Sequence, residues 1–74
     1  MTSKTDFSME NIGLAAGHIW KFLESLEGGG TSVNRLSEEL DYPKKTVLAA
    51  IGWLAREGNL DIRTEKKKTL IFLA

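Results

Sequence analysis

Between Thr31 and Leu60 the chain reads TSVNRLSEELDYPKKTVLAAIGWLAREGNL. Two stretches of helical hydrophobic spacing are separated there by a break that no continuous helix crosses. Val33, Leu36 and Leu40 form the apolar stripe of the first stretch, and Thr31 or Ser32 is placed to cap it. Asp41-Tyr42-Pro43 ends it, because proline lacks an N–H and disfavours helical geometry in the residue before it. The same proline suits the first turn of a following helix, where the missing N–H costs nothing. Val47, Ala50, Ile51 and Leu54 form the second stripe, and Gly58-Asn59 closes it.

This is the layout of a helix-turn-helix, in which the second helix is presented to a partner. A longer helix is expected before it, from about Ser8 to Leu26. Ile12, Ala15, Ala16, Ile19, Phe22, Leu23 and Leu26 share one face there, Asp6 or Ser8 can cap the start, and Gly28-Gly29-Gly30 stops it. After Gly58 the period changes to two. Leu60 and Ile62 alternate with Asp61 and Arg63, Glu65 to Lys68 reads as a turn, and Thr69 to Leu73 reads as the second strand of a hairpin. That last strand is apolar at Leu70, Ile71, Phe72 and Leu73, although a strand in a one-sided hairpin buries only one face. The other face is expected to be covered by the N-terminal lead-in or by a second molecule. The expected core is Ile12, Ile19, Phe22, Leu26, Leu36, Leu40, Val47, Ile51, Leu54, Leu60 and Ile62.

Three helices followed by a hairpin is the element order of a winged helix-turn-helix, an α+β fold. The chain from about Ser8 to Ala74 resembles that superfamily, with residues 1–7 expected as a flexible lead-in and 8–74 as one domain. Within it, NIGLAAGHIWKFLE followed by KKTVLAAIGWLAREGNLDI is similar to a small family of uncharacterised bacterial winged-helix proteins. The run Ala50-Ile51-Gly52-Trp53-Leu54-Ala55-Arg56-Glu57-Gly58 is the most specific part of the likeness. The resemblance implies a fold without a defined activity.

Composition excludes several classes. The chain has no cysteine, so it holds no disulfide framework and no thiolate metal site, which is compatible with the expected cytoplasmic location. No apolar run approaches membrane-spanning length, and MTSKTDFSME lacks the apolar centre of a signal peptide. The net charge is zero but unevenly placed: residues 1–42 carry a net −4 and residues 43–74 a net +4. The asymmetry fits a basic face for an anionic partner or a balanced surface that divides this way.

No enzyme, cofactor or metal is expected. The triple glycine lacks the Gly-Lys-Ser/Thr ending of a phosphate loop and follows a helix, so it reads as a flexible linker. His18 is the only histidine, with no second ligand for a metal, and it falls off the core face beside Lys21 and Ser25 as a solvent-facing side chain. The carboxylates lie on helix faces without the apolar surroundings that raise a carboxyl pKa.

Two kinds of binding remain open. Lys66, Lys67 and Lys68 sit at the expected wing tip, where the winged-helix resemblance implies phosphate contact. Lys44 and Lys45 start the third helix, and Arg56 lies near its end. Lysines at that tip also protect an exposed hairpin from association. Together these residues are the candidate contacts to duplex DNA in a DNA-binding or transcription-associated protein, with weak and mainly electrostatic affinity. Winged helices that bind left-handed DNA share the start matched here by Pro43-Lys44-Lys45. They then use an Asn and a Tyr, where this chain has Leu48 and Gly52. The outer face of the third helix instead carries Leu48, Ala49, Gly52 and Trp53, small and apolar residues that suit a protein contact. The alternative expectation is therefore a protein interaction module. It would homodimerise through that face, through one side of the last strand, either Ile71 with Leu73 or Leu70 with Phe72, or through both.

Overall fold

The computed structural model describes residues 5–74. Its elements are α1 (Met9–Ser25), α2 (Val33–Leu40), α3 (Lys44–Arg56), β1 (Leu60–Glu65) and β2 (Lys68–Leu73). Of the expected lead-in over residues 1–7, residues 1–4 lie outside the described residues.

Each helix begins and ends for a local reason. Ser8 caps α1: its hydroxyl accepts the Asn11 backbone N–H at 3.1 Å. The Asp6 backbone carbonyl accepts from Asn11 Nδ2 at 2.9 Å. Helix α1 stops at Ser25, and Glu27 and Gly28 follow in left-handed backbone. Ser32, and not Thr31, caps α2 by accepting the Arg35 N–H at 3.1 Å. Asp41 then turns the chain left-handed, with φ 57° and ψ 44°. The Ser37 hydroxyl donates to the Tyr42 carbonyl at 2.6 Å and braces that turn. The Pro43 carbonyl accepts from Thr46 and Val47 at 3.0 and 3.1 Å, which starts α3.

Helix α1 packs chiefly on α3, and α2 lies against α3 at the turn. Between them lies a core that includes Ile12, Ala15, Ile19, Leu23, Leu36, Val47, Ala50, Ile51 and Leu54, closed at the sheet end by Leu60 and Ile71. Phe22, Leu26 and Leu40 reach it from the side and are half-buried. Tyr42, the residue before the proline, is also buried.

Strands β1 and β2 are antiparallel, with Leu60 opposite Leu73 and Ile62 opposite Ile71. Thr31 adds an isolated bridge on the outer edge of β2, exchanging hydrogen bonds of 3.0 and 2.8 Å with Ile71. The hairpin is thus joined to the start of the helix-turn-helix.

The structure corrects one expectation in the hairpin. Ile62 is 47% exposed and is not a core residue. It shares a face with Leu60 and with its cross-strand partner Ile71, which is buried, so at this level the helices cover β2 and leave the edge strand β1 open. The second face of β2 is partly covered from within the chain. Phe72 lies under the Arg63 guanidinium, 4.5 Å from the ring centroid, and against the backbone of Gly30.

Candidate functional site

The six candidate DNA-contact residues are all exposed and fall in three places. Lys44 and Lys45 form the first turn of α3, where no acidic side chain offsets them. The Lys45 amine lies 5.7 Å from the centroid of the Phe7 ring. Arg56 stands in the last turn of α3, about 16 Å along the axis from Lys45 at 1.5 Å per residue.

The remaining three occupy the wing tip. Glu65 and Lys68 pair across the strands, and Lys66 and Lys67 form a two-residue loop. Both loop residues have positive φ, 47° and 69°. This is the backbone of a primed hairpin turn, which Asn-Gly fills with least strain. Lys68 also borders a shallow groove with Ser32, Val33, Asn34, Thr69 and Leu70, between the start of α2 and the wing.

The candidate protein-contact residues divide. Leu48 is 56% and Trp53 43% exposed, with Gly52 open between them and Ala49 half-buried. Met9, Ile12, Ala49, Gly52 and Trp53 line one groove between α1 and α3, and Arg56 and Glu57 close its end. Met9 and Phe7, both exposed, enlarge this apolar surface beyond what the α3 stripe alone suggests. Phe7 immediately precedes the Ser8 cap, a position from which an apolar residue often packs back on its helix. That placement was the sequence signal for it.

Of the two candidate faces of the last strand, the one carrying Ile71 and Leu73 is turned to the core. Ile71 is 1% exposed, pressed between the helices and Thr31, and offers nothing to another molecule. Leu73 is half-buried against the same core.

His18 is exposed as expected, yet it has a partner. Its Nδ1 lies 2.8 Å from the hydroxyl of buried Tyr42, joining α1 to the turn of the helix-turn-helix. Burial raises the Tyr42 pKa above the usual phenol value. Among the described residues no group of three His, Cys, Asp or Glu side chains could hold a metal ion, and no helix is long and apolar enough to cross a membrane.

Comparison with known proteins agrees with this geometry. The chain is 36% identical over 62 residues to the uncharacterized protein MJ1608 of Methanocaldococcus jannaschii, a match covering 84% of this chain and 89% of the relative. Its fold is similar to the solution NMR structure of protein BT2368 from Bacteroides thetaiotaomicron. The TM-score is 0.74 at 29% identity, over 84% of this chain and 73% of that one. A family model described as a winged helix-turn-helix domain (DUF2582) matches residues 1–73, and the chain belongs to that family.

Proposed function

We propose that this chain is a non-enzymatic DNA-binding, transcription-associated module that holds duplex DNA weakly, through phosphate contacts and not through base edges. The observation that carries the reading is the wing tip. Lys66 and Lys67 occupy left-handed backbone that L-residues with side chains adopt at a steric cost. The hairpin gives up stability to hold two amines at its outermost point, with Lys68 beside them. Lys44 and Lys45 repeat the pattern at the start of α3, where a positive charge opposes the helix dipole but attracts an anion. Five lysines are enough to neutralise several phosphates. The exposed face of α3 offers little that can hydrogen-bond a base edge, so affinity without strong sequence preference is expected.

The test is a fluorescence titration with two unrelated duplexes at about 50 and 200 mM salt, a range over which phosphate-driven binding falls steeply. Both duplexes are expected to bind alike and to weaken together as salt rises. Replacing Lys66, Lys67 and Lys68 by Ala should lower both affinities and flatten the salt dependence. Absence of binding at the lower salt, or selective binding that survives the triple change, overturns the reading.

A second reading, a protein interaction module, is favoured by the apolar exposure of Leu48 and Trp53 around Gly52.

A further inference from the structure

We infer that β1 pairs edge to edge with β1 of a second copy of this chain, antiparallel and about a twofold axis at Ile62, so that the two hairpins form one continuous sheet. The contact uses none of the wing lysines and stands apart from DNA binding.

The hydrogen bonds of β2 determine which way β1 directs its own. Ile71 donates its N–H to the Thr31 carbonyl at 2.8 Å and accepts the Thr31 N–H at 3.0 Å, so both of its backbone groups face away from β1. Ile62 stands opposite Ile71, and the two form a non-hydrogen-bonded pair. The N–H and C=O of Ile62 are therefore directed to the outer edge of β1, and those of Leu60 and Thr64 share that direction at a period of two. The Ala74 N–H donates to the Asn59 carbonyl at 3.1 Å, which keeps the same alternation. Strand β1 runs in unbroken register with β2 and holds no proline, lysine or bulge of the kind that blunts a free edge.

A second copy fits this edge in one register. Antiparallel pairing centred on Ile62 sets Ile62 against Ile62 and Leu60 against the other copy's Thr64. Every outward-facing residue then exchanges hydrogen bonds with another outward-facing one, and symmetry repeats the contacts. The same register sets Asp61 against the other copy's Arg63 on both sides of the axis. These are non-hydrogen-bonded pairs, in which side chains lie closest. Within one chain Arg63 Nε already lies 2.9 Å from Asp61 Oδ2, so the join completes a charge network and its main effect is to choose the register. A shift by two residues faces Asp61 with Asp61 or Arg63 with Arg63. A shift by one sets outward backbone groups against inward ones. Ile62, 47% exposed, gains an apolar neighbour at the axis. Burial in β1 is confined to the Leu60 end, so the twofold sends the two helical bodies to opposite ends of the joined strands.

One strand edge buries far less than the roughly 800 Å² per partner of a standard interface. Dissociation on the order of 10–300 µM is expected.

Sedimentation velocity from about 10 µM to 1 mM, without DNA, should show a monomer–dimer equilibrium spanning that range. Arg63→Asp sets like charges opposite each other on both sides of the axis. It should weaken association about tenfold or more with a cooperative melt intact, and Asp61→Arg with Arg63→Asp should restore it. The chain has no cysteine, so an introduced one reports the register. Ile62→Cys should oxidise to a covalent dimer, because a hydrogen-bonded pair holds its Cα atoms about 5.5 Å apart, within disulfide reach. Thr64→Cys, exposed on the same edge, stands about 13 Å along the strands from its copy and should not. A wild type that stays monomeric at the top concentration overturns the proposal. So does a dimer that Arg63→Asp leaves intact, a charge swap that fails to rescue, or a Thr64→Cys variant that crosslinks as readily as Ile62→Cys.

Discussion

Gly30 and Phe72 meet so closely that a methyl group on the glycine would lie 2.6 Å from the phenylalanine ring. The contact holds the loop after α1 against the outer face of the wing, opposite the core. It makes Gly30 a packing requirement within a loop whose sequence suggests only flexibility.

Gly30→Ala is expected to destabilise the protein by about 1–3 kcal/mol, the usual range for overpacking. Phe72→Leu in the same chain should recover part of the loss by removing the ring. Chemical denaturation of the two single variants and the double variant measures both. Equal stability of Gly30→Ala and wild type would mean that the ring moves aside freely.

Tyr42 links stability to alkaline pH. Its pKa is raised in the folded state by burial, so the folded protein holds the phenol proton more tightly than the unfolded chain does. The resulting stability is present below the unfolded phenol value near 10 and is lost as pH rises through the folded value. Melts between about pH 7 and 11 should show this decline, and Tyr42→Phe should flatten it. At neutral pH the same variant should cost about 0.5–1.5 kcal/mol through the lost hydrogen bond to His18.

The wing tip should respond oppositely in stability and in binding. Lys66→Asn with Lys67→Gly supplies the residues a primed turn favours, so the melting temperature should rise, by about 1 kcal/mol or more of stability. Duplex affinity should fall in the same protein. Unchanged or lower stability would refute the left-handed geometry at the tip.

Ile62 and Ile71, paired across the hairpin, should differ sharply. Ile71→Ala opens a cavity in the core and should cost about 2–5 kcal/mol. Ile62→Thr, on the exposed wing, should stay within about 0.5 kcal/mol of wild type. Comparable losses at both positions would mean that the helices extend under the wing.

The helix-turn-helix was legible because period, caps and the proline break all point the same way, and the structure follows them closely at Ser8, Ser32 and Pro43. The alternation in β1 was legible too, but alternation identifies a face and not how far the opposing layer extends. Ile62 was therefore misplaced. Tyr42 went unread as core because one aromatic residue in a turn has no period, and its partners lie on other elements. The cover over Phe72 was missed for the same reason: Gly30 is distant in sequence and carries no side chain. Among the candidate contacts, charge and exposure of the lysines were legible from residue type. The left-handed backbone of Lys66 and Lys67 was not, because it follows from strand register. Ile71 was assigned to the surface because four successive apolar residues do not reveal which alternate pair faces inward.

The bridge between Thr31 and Ile71 has a mechanical consequence. It clamps β2 opposite Ile62, so the wing is a cantilever anchored at its base and not a flap hinged there. From Ile71 to Lys67 the free arm is about 13 Å long at 3.3 Å per residue. Bending is therefore confined to the stretch that carries the lysines. The tip can follow the contour of a ligand while the root, and the helix-turn-helix joined to it through Thr31, keeps its register.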